Sequence, residues 1–251
     1  ITVDPHLKNP YAMQYNLSVE RQWGSNWVTS VAYVGTRGVS LFNVNNVLQP
    51  QPQMDGANAL FTPRGAPSVN PALDSTRYYS NFGDSRYNAL QLRAEKRFSN
   101  GLQFSASHTW SNNIAVGSFG LDGGQVPSAA GTTGWMIGNA WDYRHYDKGP
   151  AQQDVRHNFI FNYNYELPFG NGKWVGGNAT GVANGLLSGW QINGVISART
   201  GLPVAISGGG YNPVQFCNTC LVRPNLKPGA SNNPRLGDPS LYFDPSVFTV
   251  V

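Results

Sequence analysis

A length of 251 residues allows one large domain or two small ones. Only 12% of the residues are charged, while 29 glycines, 17 prolines and 26 asparagines supply a surplus of turn formers, which excludes a helical bundle and argues against a conventional α/β enzyme. The net charge of +4 comes without a basic run, since Arg93, Lys96 and Arg97 surround Glu95 at the densest point, so a nucleic-acid partner is not expected.

No stretch is long and apolar enough for a membrane-spanning helix. A spanning β-strand is compatible with the mean hydropathy of -0.33, because its apolar residues come on alternate positions. The opening Ile1-Thr2-Val3-Asp4-Pro5 has no starting methionine, basic region or apolar leader, as expected of a processed chain or an internal piece of a longer one.

Alternation predicts a first strand over residues 12–23, with Met13, Tyr15, Leu17 and Val19 opposing Gln14, Asn16, Ser18 and Glu20. Gly24-Ser25-Asn26 turns the chain into a second strand over 27–42. There Trp27, Val31 and Tyr33 share one face and Val28, Ala32 and Val34 the other, a weak alternation with strong β propensity. A third strand runs over 87–98, setting Leu90, Leu92, Ala94 and Phe98 against Gln91, Arg93, Glu95 and Arg97. Asn100-Gly101 is a hairpin signal. The fourth strand follows at once, with Leu102, Phe104, Ala106, His108 and Trp110 opposing Gln103, Ser105, Ser107 and Thr109. The fifth, over 154–167, places Val155, Phe159, Phe161, Tyr163 and Tyr165 on one face and Arg156, Asn158, Asn162, Asn164 and Glu166 on the other. The sixth, over 189–206, sets Trp190, Ile192 and Ile196 against Gln191, Asn193, Ser197 and Arg199.

The connections alternate in length. Two are tight turns, whereas residues 43–86 and 112–153 form long links and 168–188 an intermediate one. Long structureless loops are unusual inside a compact soluble domain. Outer-membrane barrels combine short periplasmic turns with long extracellular loops routinely, and their strands are apolar outside and polar inside. The predicted fold class is therefore all-β: an antiparallel up-and-down transmembrane β-barrel segment of about six strands, with Trp23, Trp27, Trp110 and Trp190 near strand ends. Gln91, Arg93, Glu95, Asn158, Asn162, Asn164, Gln191 and Asn193 are expected to face the lumen. Residues 1–207 carry the strands. Residues 208–251, glycine- and proline-rich without usable alternation, are expected to form an extracellular loop region.

Several blocks carry a family resemblance. Asn9-Pro10-Tyr11 with residues 14–21, Tyr33-Val34-Gly35-Thr36-Arg37-Gly38, Tyr87-Asn88-Ala89-Leu90 and His108-Thr109-Trp110-Ser111 come first. Asp154-Val155-Arg156-His157, Tyr165-Glu166-Leu167-Pro168-Phe169-Gly170, Gly189-Trp190-Gln191-Ile192, Thr200-Gly201-Leu202-Pro203 and Arg223-Pro224-Asn225 follow in order. The chain resembles the barrel of Oar-like TonB-dependent receptors, in the C-terminal half. That resemblance implies an outer-membrane transporter of about 22 strands, plugged by an N-terminal domain and energised through TonB, with extracellular loops meeting an unidentified small ligand. These residues contain neither the plug nor the TonB box, so any TonB contact would run through the missing plug. His108 stands where the family usually has tyrosine.

Other chemistry is sparse. Cys217-Asn218-Thr219-Cys220 lacks the context of a redox helix and lacks two further zinc ligands, so a disulfide stapling an exposed loop is expected. Trp135, Trp141, Asp142 and His145 cluster in the long loop over 112–153 as a candidate ligand contact, and His157 is expected to be structural. No GxSxG, HExxH or P-loop appears, so neither catalysis, a cofactor nor a metal is expected. The alternative is a β-rich structural or adhesive surface protein that self-associates through open sheet edges into fibres.

Overall fold

All six expected strands form in the computed structural model, which describes residues 2–46, 53–55, 58–60, 77–116, 144, 148–151, 153–204, 224–231, 233–238 and 240–249. In chain order they run β1 (Thr2–Val3), β2 (Tyr11–Trp23), β3 (Trp27–Asn46), β4 (Gln53–Asp55), β5 (Asn58–Leu60), β6 (Arg77–Ser99), β7 (Leu102–Val116), β8 (Lys148–Pro150), β9 (His157–Glu166), helix α1 (Gly181–Leu187), β10 (Gln191–Arg199), β11 (Asn225–Leu226) and β12 (Phe248–Thr249). Each long strand pairs antiparallel with the next long strand, in the spatial order β10-β9-β7-β6-β3-β2. This is an up-and-down meander, all-β as expected. β1 joins it by pairing parallel with Tyr78 and Tyr79 of β6.

The turns follow their residues. Gly24 sits at φ +60, and Asn100 and Gly101 at +51 and +75, the left-handed pair that a tight hairpin with right-handed strand twist requires. The link from β9 to β10 emerges at the same end of the sheet as these turns. It folds back on itself: the Asn184 side chain accepts the Asn171 N–H at 2.8 Å, and the Trp190 indole donates to the Leu186 carbonyl at 2.8 Å.

Two strands are longer than the alternation predicts. β3 continues to Asn46, and β6 begins at Arg77 rather than Tyr87. The cause is a bulge. Register between them shifts between Gly38 and Leu41 and again before Asn43, with Ser40 at φ +56, so the apolar period breaks while the ladder resumes as far as Asn46 and Arg77.

The fifth strand is a correction in the other direction. β9 begins at His157, not Asp154, because residues 153–156 leave the regular ladder. The Asp154 carboxylate accepts the Asn113 N–H at 2.7 Å, the Ser111 N–H donates to the Arg156 carbonyl at 2.9 Å, and the Ser111 hydroxyl donates to the Val155 carbonyl at 2.7 Å. Beyond this bulge β8 resumes pairing with Ile114–Val116. Val155 therefore lies outside the ladder that holds Phe159. The sixth strand likewise stops at Arg199, short of Ile206. The C-terminal stretch is not featureless either: β11 pairs with β12, and Arg235 bridges Phe243.

Burial is scant. Among the described residues the buried apolar side chains are Ala89, Ala115, Val116 and Ala151, while Leu17 and Val19 are 70% and 66% exposed. A sheet that leaves such residues uncovered has an apolar surface suited to lipid or protein, not to water.

Candidate functional site

Register sorts the side chains into two faces. Two cross-strand contacts fix the first. Tyr15 and Tyr33 both donate their hydroxyls to the Asn88 amide oxygen, at 3.2 and 2.8 Å. The Tyr15 ring lies over Gly35, its register partner, so closely that a Cβ there would sit 2.1 Å from the ring. Tyr163 covers its own partner Gly194 in the same way. In both places glycine in mid-strand gives an aromatic ring room to lie flat across the neighbouring strand. With Tyr15 and Tyr33 as reference, this face carries Leu17, Val19, Val31, Leu90 and Leu92, then Phe104, Phe159, Phe161 and Ile196.

Aromatic contacts cluster at two levels of this apolar face. Near the tight turns, Trp27 meets Phe104 edge-on at 5.3 Å, and Arg21 lies 3.9 Å over the Trp23 ring. Towards the other end His157 stacks on His108 and Trp110, with the two imidazole nitrogens 3.3 Å apart. His157 thus belongs to this aromatic level, on the face of Phe159 and Phe161.

The opposite face is polar, and it gathers every residue expected to face a lumen. One ladder row runs Asn193, Asn164, Gln103. The next runs Val195, Asn162, Ser105, Glu95, and two rows on lie Arg199, Asn158, Thr109, Gln91. Arg93 occupies the row between and makes an ion pair with Glu95, while Gln191 pairs with Glu166 at the turn end. The Asn164 side-chain oxygen is buried without a hydrogen-bond partner, beside a hollow of about 310 Å³ lined by Glu95, Gln103 and Asn162. An acceptor left so is available to a donor from solvent or ligand.

A larger cavity, about 700 Å³, opens at the end of the sheet far from the tight turns. Asp154 and Arg156 from the bulge, Thr200 and Pro203 after β10, and Arg235 and Tyr242 from the C-terminal segment line it. Asp154 is 6% exposed and Arg156 approaches it at 3.5 Å, so this pair balances itself and Arg235 leaves the wall with one positive charge over. The sequence pattern missed this cavity, because Arg235 and Tyr242 lie in the segment without alternation. Trp135, Trp141, Asp142 and His145, and the pair Cys217 and Cys220, lie outside the described residues. No group of three metal-ligating side chains occurs among the described residues.

A meander of long antiparallel strands, apolar on one face and polar on the other, is the architecture of a barrel wall. Residues 1–251 match the family model of the outer membrane beta barrel domain. The chain belongs to that family. No curated protein and no solved structure matches it. As an outer membrane beta barrel domain it resides in the outer membrane, and its spans are β-strands; no helix among the described residues is long and apolar enough to cross a membrane.

Proposed function

We propose that this barrel domain is part of a TonB-dependent receptor that takes up a small ligand. The plug and the TonB contact are supplied by residues other than these, and the ligand meets the outer mouth first. The observation that carries this reading is the height of the wall. β6 has 23 residues and β3 has 20. A tilted strand needs only about 9–11 to cross the hydrocarbon. The surplus rises beyond the aromatic level of Trp110 and His157, towards the end of the sheet where the Asp154 bulge, the stretch after β10 and the C-terminal segment line the 700 Å³ cavity. A barrel that only conducted small solutes has no need of such a rim, whereas a receptor captures its ligand there. The ordered resemblance blocks support the same reading.

In this reading the face with Gln91, Arg93, Glu95, Asn158, Asn162, Asn164, Gln191 and Asn193 lines the lumen and the face with Leu92 and Phe159 meets lipid. Ser25 and Asn100 lie on the periplasmic side, because alternate connections of an antiparallel meander share a side. Two experiments test it. In a background with Cys217 and Cys220 replaced by serine, a membrane-impermeant thiol reagent on intact cells labels Lys148→Cys and spares Ser25→Cys; the reverse result overturns the orientation. Retention of the native protein on immobilised TonB periplasmic domain, strengthened by its ligand, is the expected result for a receptor, and no retention overturns that assignment.

A second reading keeps the fold and changes the role. Among the described residues β2 pairs only with β3, and all 13 of its residues are exposed, so its outer edge is open. An open edge pairs readily with another chain. A structural or adhesive assembly through β2 and β10 predicts filaments of the native protein, visible by electron microscopy.

A further inference from the structure

We propose that Arg37 and Arg86 form a phosphate site for the headgroup of a phosphorylated lipid of the outer leaflet. The inference rests on the reading above that the apolar face meets lipid. Arg37 of β3 and Arg86 of β6 are direct register partners, and both are exposed. No register shift separates Arg37 from Tyr33 or Arg86 from Leu90, so both arginines belong to the apolar face.

Like charges directly opposite one another repel across a ladder. Nothing among the described residues relieves this pair. Neither arginine makes an ion pair or a side-chain hydrogen bond there, although Asp84 lies two residues further along β6 on the same face. Two adjacent guanidinium forks present several donors to one anion, and phosphate matches that geometry better than any single carboxylate.

The height suits a headgroup. Four residues separate Tyr33 from Arg37, about 13 Å along the strand, or roughly 10 Å along the membrane normal at the tilt of a barrel strand. Between them lies the knot of Tyr15 and Tyr33 on Asn88, the kind of aromatic belt that marks the edge of the hydrocarbon. The lipid source is favoured over a soluble anion by the rest of the row. Met13 flanks Arg37 and Ile114 flanks Arg86, so the charged pair sits between apolar side chains able to lie against acyl chains.

The test uses the native protein in phosphatidylcholine vesicles doped with lipid A, or with lipid A stripped of its phosphates. Lipid retained after detergent extraction is read by native mass spectrometry. The wild type retains the phosphorylated form at least about tenfold better, as expected when a charge-assisted bond is lost with each phosphate. Arg37→Gln with Arg86→Gln removes that preference. Arg97→Gln with Lys227→Gln, which removes the same charge elsewhere, keeps it. Arg37→Lys with Arg86→Lys keeps charge and fold and retains part of it. Equal retention of both lipids, preference surviving in the double glutamine variant, or displacement of the lipid by millimolar inorganic phosphate overturns the proposal. Brominated acyl chains separate this from the facing itself: they quench the emission that Trp110→Phe removes. Trp110 left unquenched refutes the facing, while quenching without phosphate selectivity refutes the lipid site alone.

Discussion

The Asp154 carboxylate accepts the backbone N–H of Asn113 at 2.7 Å, a bond that an uninterrupted neighbouring strand would have made with a carbonyl. The side chain substitutes for the ladder where residues 153–156 bulge out, and it is 6% exposed. Asp154→Ala leaves a buried donor without partner and is expected to cost about 1–3 kcal/mol. Asp154→Asn keeps an acceptor in place and should cost less. Arg156→Gln should cost least, since the arginine side chain is 43% exposed and its ion pair is screened. Denaturant unfolding in lipid vesicles orders the three. Equal losses for Arg156→Gln and Asp154→Ala would show that charge, not the backbone bond, holds the bulge.

Gly35 and Tyr15 are tested as a pair. A Cβ at position 35 would lie 2.1 Å from the Tyr15 ring, so Gly35→Ala must expel the ring and its bond to Asn88. The expected cost is about 1–3 kcal/mol, the range for overpacking. In the Tyr15→Ala background the ring is gone and the same change should cost much less. A double-mutant cycle measures this coupling. Strict additivity would mean that ring and glycine do not depend on each other.

The sequence pattern made the six strands, their order and their two faces legible, because period-2 alternation is strong wherever one face is apolar. It failed where another contact replaced that signal. Residues 77–86 lengthen β6, and among them Tyr78, Tyr79, Ser80, Gly83 and Ser85 alternate poorly but pair with β3 across a bulge. Asp154-Val155-Arg156 reads as strand by alternation, yet one carboxylate bond to Asn113 makes a bulge instead. Gly35 in mid-strand was a readable hint of close approach, but nothing local announced Tyr15 as the ring above it. The outer cavity was illegible, since Arg235 and Tyr242 reach it from a segment without periodicity.

Asp244 gives a pH dependence of known sign. The Ser246 side chain hydrogen-bonds its carboxylate and the Ser246 N–H donates to it at 2.8 Å at the start of a short 3-10 turn; these two bonds, helped by Lys227, hold its carboxyl below the usual carboxylate range. A depressed folded-state value means the contribution is present above the unfolded value, about 4, and disappears as pH falls through the folded one. Hydrogen-exchange protection of the Ser246 amide should therefore be steady near neutrality and decline in acid. Asp244→Asn, which caps without titrating, should flatten that decline. An unchanged decline in the variant would place its origin elsewhere.

In the orientation proposed above, the segment of Cys217 and Cys220 belongs to the outer side, an oxidising environment, so the two are expected to be joined by a disulfide. So small a ring adds about 1–2 kcal/mol or less. Reduction should leave the β content unchanged and speed proteolysis near these residues. Two free thiols in non-reducing mass spectrometry, or bound zinc, would refute the bond.

Leu92 and Gln91 adjoin on β6 and point to opposite faces. Leu92 is 40% exposed and shares its row with Val31, His108 and Phe159, between the aromatic levels of Trp27 and of Tyr33 with Trp110. On β3 that row lies four residues from Trp27 and four from Gly35, beside which Tyr15 meets Asn88, so it falls near the middle of the hydrocarbon if those two levels mark its edges. Arginine there must leave water for lipid, so Leu92→Arg should cost about 2–4 kcal/mol of membrane stability. Gln91 shares its row with Ala32, Thr109 and Asn158 on the polar face, where an added charge stays hydrated. Gln91→Arg should therefore be near neutral. Reversible unfolding from lipid vesicles measures both. The opposite ranking, with Gln91→Arg the damaging change, would turn the sheet inside out and take the lumen assignment of Arg93, Glu95, Asn158 and Asn162 with it.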